Sequence, residues 1–83
     1  MVSVGRIVHF VTKEGKHRPA IVVEVWSKES GCSNLQVFTD GYNDSKSETR
    51  NEFDQVQNVA WKTSINFSEE PKPYTWHWPE RED

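Results

Sequence analysis

The chain reads as a small all-β protein, an SH3-like, partly open β-barrel of about five short strands with no substantial helix. Three observations predict this class. Ala20–Val25 is a short, almost continuously apolar run rich in β-branched residues, too short for a helix core and right for a strand. Four other stretches alternate with period two. The polar connections between them carry Gly or Pro, and several are of hairpin length. The 83 residues fit one domain, 1–83. An OB-fold fits less well, because it usually carries a helix between its third and fourth strands. Only Glu48–Gln55 offers one helical turn there.

The first strand is expected over Val4–Thr12, where Ile7, His9 and Val11 alternate with Val8, Phe10 and Thr12. Lys13–Lys16, with Gly15, is a hairpin connection into the second strand, His17–Trp26. Pro19 lacks a backbone donor and fits the entry of that strand. Ile21, Val23 and Val25 share one face, and that uniformly apolar face is expected to be the core side. Ala20, Val22, Glu24 and Trp26 take the other. After a loop turned by Gly31, the third strand is Leu35–Thr39, closed by the turn signal Asp40-Gly41.

Residues 41–54 alternate in charge without a period, which predicts a mobile polar loop. A lid over a site is the functional alternative. The fourth strand lies within Val56–Phe67, with Val59, Trp61 and Thr63 alternating with Ala60, Lys62 and Ser64. Ile65 and Phe67 are expected to continue the Val59 face. Ser68–Tyr74 holds two prolines and blocks helix. Thr75–Trp78 is the last strand, stopped by Pro79, and the charged residues 80–83 are expected to fray.

Composition excludes several classes of function. A net charge of −3 argues against general nucleic-acid binding, which needs a basic footprint. Without a long apolar run or a signal-like N-terminus, the chain is expected in the cytoplasm. The single Cys32 forms no internal disulfide, fits a reducing compartment and excludes a cysteine-based zinc site.

Two sets of residues resemble known families. Val4–Val11, Arg18–Val25, Leu35–Phe38 and the terminal Thr75-Trp-His-Trp-Pro-Glu80 resemble a group of small phage and prophage proteins. These begin with a Val-His-Phe/Tyr-Val strand and end in Thr-Trp-His-Trp-Pro-Glu. The acidic segment Asn43–Asp54 is longer than the connection usual there. The resemblance implies a viral origin, in the host cytoplasm, and an accessory role against a host system. Gly5-Arg-Ile-Val8, Gly15 and Arg18-Pro-Ala-Ile-Val22 resemble the opening of MazF/PemK-type toxins, ribonucleases on an SH3-like barrel. The short loop lacks their second arginine, so this likeness supports the fold and not the nuclease.

Candidate chemistry gathers on few residues. His9, His17 and His77 are the only histidines. A three-histidine metal site is conceivable, but the spacing shows no metal signature, so no metal or cofactor is expected; His9 and His77 read as hydrogen-bonded sheet residues and His17 as a residue at a loop end. No nucleophile elbow, phosphate loop or carboxylate pair marks an enzyme. Arg18 and His17 supply donors for an anion, and Trp61, Tyr74, Trp76 and Trp78 supply flat apolar surface. The expected ligand-binding set is therefore His9, His17, Arg18, Trp61, Tyr74, Trp76, His77 and Trp78, with Arg18 as the grip. The expected function is capture, without catalysis, of a small anionic ligand such as a nucleotide-derived defence signal. A homo-oligomer would suit so small a barrel. The alternative is an SH3-like module that docks on a host or phage protein through its tryptophans. A toxin-like ribonuclease comes third.

Overall fold

A computed structural model describes residues 1–80. Five strands form one closed barrel in the order β1 to β5: Ile7–Val11, His17–Val25, Ser33–Phe38, Val59–Phe67 and Thr75–His77. The all-β class is as expected, but the barrel is closed where a partly open one was predicted. The closing strand is β5, which pairs antiparallel with β1 and parallel with β4. Among the described residues the one helix, α1, spans Lys46–Thr49 and falls within the segment read as loop.

Alternation sets which side chains fill the barrel. Val8 and Phe10 of β1, Ala20 and Val22 of β2, Leu35 and Val37 of β3, Ala60 and Ile65 of β4 and Trp76 of β5 are buried. For β2 this reverses the predicted face. Ile21 is partly exposed and Val23 is 39% exposed, while Ala20 and Val22 are completely buried. The register shifts between Val22 and Glu24, a bulge that turns the strand, and Val25 beyond it packs partly against the core. Glu24 is exposed.

β4 changes phase in the same way. Val59 and Trp61 face outward and Ala60 inward. The register against β3 then shifts between Ser33 and Leu35, Ser64 has a φ of +56°, and Ile65 returns to the inside. Ile65 and Phe67 thus pack on the core, but they do not share the Val59 face. Asn34 pins this bulge, its Oδ1 accepting from Thr63 Oγ1, the Ser64 amide and Trp26 Nε1.

The 26–32 loop passes tight against the core. Gly31 has a φ of +76°, and a Cβ there would meet Phe67 Cβ at 2.6 Å and Trp76 Cζ2 at 3.0 Å. Its carbonyl accepts the Trp76 indole N–H at 2.8 Å, so the largest core side chain is satisfied while fully buried.

Polar groups anchor the 41–54 segment. Asp44, Glu48 and Thr49 are buried. Asp44 pairs with Arg18 and caps the Asp40 amide, and Arg50 donates to the Gly41 carbonyl and to Thr49. The Glu48 carboxylate lies 3.1 Å from Lys62 Nζ and accepts from the Tyr74 hydroxyl. The charges that look like a solvated run in the sequence are its attachment points.

Candidate histidine cluster and cleft

β1 lies between β2 and β5, so its outward side chains meet those of both neighbours. His9 pairs directly with His77 on β5 and with Pro19 on β2, and His17 pairs with Val11. His9, His17 and His77 alternate with the inward Phe10 and Trp76 and with Arg18. The three rings consequently converge outside the barrel wall. Ring centroids lie 4.7 Å apart for His17 and His77, 5.7 Å for His9 and His77, and 6.4 Å for His9 and His17, all edge-to-face.

β5 ends at His77, and beyond Pro79 the side chain of Glu80 lies over the cluster. Glu80 Oε2 is 2.7 Å from His9 Nδ1, and Oε1 is 2.8 Å from His17 Nδ1 and makes a short contact with His77 Nε2. One ligand atom from each of the four residues lies within 4.8 Å of all the others. Partial burial pushes the Glu80 carboxyl upward. Its own backbone amide and the bonds from His77 and His9 outweigh that and hold it at about 2. Glu80 was expected to fray, yet it is tied to three strands' worth of side chains. Residues 81–83, the rest of that expected tail, lie outside the described residues.

His77 is the deepest member, 7% exposed, and its Nδ1 has no hydrogen-bond partner. Beside it opens a cleft of about 430 Å³ lined by Phe67, Glu69, Pro71, His77, Trp78 and Glu80. Phe67, Pro71 and Trp78 form its apolar wall. Trp78 packs edge-to-face with Trp76 at 5.2 Å and carries the Arg6 guanidinium over its ring at 4.7 Å. His77 and Glu80 of the cluster form the polar end of this cleft.

No family model matches this chain. Neither does a curated protein or a solved structure.

The remaining expected site residues are dispersed. Arg18 spends its fork on Asp44: Nε donates to Oδ2 at 2.8 Å, one terminal nitrogen makes a short bond to Oδ1, and the other donates to the His17 carbonyl. That pair, with partial burial working against it, keeps the Arg18 guanidinium above its ordinary value. Trp76 is core, 1% exposed. Trp61 lies on the outer face of β4, 57% exposed. Tyr74, at a φ of +62°, donates its amide to the Val11 carbonyl and its hydroxyl to Glu48; burial and the Glu48 charge push that hydroxyl upward. Thus His9, His17, His77 and Trp78 are brought to one place, and Arg18, Trp61, Tyr74 and Trp76 are not.

The sequence reading missed Glu80. Two of the histidines carried a legible signal. A hairpin through Lys13–Lys16 pairs Val11 with His17 and His9 with Pro19, which places both rings on one face of neighbouring strands.

Proposed function

We propose that this protein is a non-catalytic binding protein that captures a small anionic ligand at the histidine-lined end of the Trp78 cleft. The observation that carries the reading is the convergence of three imidazoles from three adjacent strands on a single carboxylate at the cleft mouth. The barrel already holds one anion there, and it is its own Glu80. A ligand carboxylate or phosphate would take that place, with its flat or apolar body against Phe67, Pro71 and Trp78. The grip belongs to the histidines, because Arg18 is committed to Asp44. The phage-type resemblance rests on motifs that include His9, His77 and Glu80, and a nucleotide-derived signal suits an aromatic wall beside an anion site.

Thermal shift and calorimetric titration with nucleoside phosphates and cyclic dinucleotides test this. Ligand at 100 times its Kd should stabilise the fold by about 2.7 kcal/mol. Replacing His9 and His17 together with Gln should abolish the shift. Glu80→Ala should tighten binding by removing the internal competitor. A panel without any shift, or equal affinity in the double variant, would refute the reading.

A second reading, docking on a protein, is favoured by one other observation. The outer face of β1 to β4 carries Ile7, Phe38, Val59 and Trp61, between 41% and 59% exposed, and the register sets Phe38 opposite Val59. Exposed apolar side chains grouped on one sheet face are the usual mark of a macromolecular contact.

A further inference from the structure

We infer that His9, His17, His77 and Glu80 form a binding site for one divalent first-row transition-metal ion, with zinc the best fit. The inference rests on the preceding reading only for its location. It goes further in supplying the positive charge that such a site needs.

Electrostatics make the first argument. An anion must enter a cleft that already contains the carboxylates of Glu69 and Glu80. Arg18, which follows His17 in the sequence, is paired with Asp44. Three imidazole rings stand with centroids 4.7 to 6.4 Å apart around the Glu80 carboxylate. A dication among them would hold the three rings, satisfy Glu80 and leave the cleft end positive.

Geometry makes the second argument. Metal-bound imidazole nitrogen sits at about 2.0–2.1 Å from zinc and carboxylate oxygen at about 2.0–2.2 Å, so tetrahedral donors lie about 3.4 Å apart. The four donor atoms are already within 4.8 Å of one another, and rotation about side-chain bonds covers the difference. The backbones are fixed by sheet pairing, His9 directly opposite His77 and His17 one step along the β1–β2 hairpin. Three nitrogen donors and one carboxylate suit zinc and its late first-row neighbours. Magnesium and calcium prefer all-oxygen shells.

The set also has the plan of an exchangeable site. Three histidines come from the strands, while the carboxylate comes from the chain just beyond β5 and is 47% exposed. The strand ligands would stay in place and Glu80 would be the one to yield its position to an incoming anion. The anion would then bind the ion itself, with its body along Trp78.

Titration calorimetry of the tag-free chain, freed of metal with chelator, against zinc is the direct test. One ion per chain is expected, with no heat from magnesium. Cobalt should give the intense visible bands of a four-coordinate site. His9→Gln and His17→Gln alter partly exposed residues and should fold. Each should weaken zinc binding by at least about tenfold, since losing even an outer partner of a metal ligand costs about 10–100-fold. Far-ultraviolet circular dichroism of each variant would exclude simple unfolding. Absence of stoichiometric zinc binding in the natural chain would overturn the inference, as would undiminished affinity in both variants. The ligand panel repeated with and without zinc separates the two readings. Zinc binding without anion capture removes the capture reading and leaves the metal site. Anion capture in chelator by a chain that does not bind zinc does the reverse.

Discussion

Asp44 and Arg18 show how a single side chain can be read for the wrong task. The approach to an apolar strand makes Arg18 look like an anion grip, yet its partner is supplied 26 residues later by a buried aspartate, 1% exposed. The Arg18 bonds, opposed by burial and helped by the Asp40 amide, bring the Asp44 carboxyl from 3.8 to about 2. Because this folded value lies below the unfolded one, the unfolded chain binds the proton more tightly. The stability contributed is full above pH about 4, is lost as pH falls toward about 2, and amounts to about 2 kcal/mol. Urea unfolding between pH 5 and pH 2 should show this loss in the natural chain and little of it in Asp44→Asn. At neutral pH that variant should itself be about 2–3 kcal/mol less stable, since the guanidinium is left poorly solvated and unpaired. A flat comparison of the two across this range would mean the pair contributes nothing.

The strands were legible as elements and misleading as faces. All five lie where period-two alternation put them, because alternation survives in any half-buried sheet. What failed was continuity along the two nine-residue strands. In β2, the more apolar triad Ile21, Val23 and Val25 outweighs the pair Ala20 and Val22 on hydropathy alone. The bulge at Val23 splits that triad between two environments, and no local residue announces it. In β4 the phase change depends on Asn34, which comes from another strand. Val22→Ala should therefore cost about 1–3 kcal/mol in chemical denaturation, and Val23→Ala less than about 0.5 kcal/mol. Equal costs would show that β2 is buried on both sides. The site divides in the same way. His9 and His17 could be paired from the hairpin, but His77 needs β5 to lie beside β1, and Glu80 needs the turn after Pro79. Neither follows from local pattern, because the partners are far apart in sequence.

Over the whole molecule, the barrel separates two surfaces. One is the cluster and cleft at the β1–β5 seam, and the other is the apolar outer face around Trp61. Trp61→Lys should leave urea stability within about 0.5 kcal/mol, because the side chain is exposed. If the face joins copies of this chain, sedimentation of the variant should show a smaller species than the natural protein. Identical sedimentation would exclude self-association through Trp61. The seam has a different consequence, in time instead of space. β5 is only three residues long, and the His9–His77 pair joins positions 68 apart. Such contacts carry the highest loop-closure cost and are late in a chain's search for its fold. Strands β1 to β4 can meet as successive hairpins before β5 arrives. Until it does, two histidines stand on an open edge with neither His77 nor Glu80. The assembled histidine cluster is therefore the last feature this chain acquires as it folds, and the first it forfeits if the seam opens.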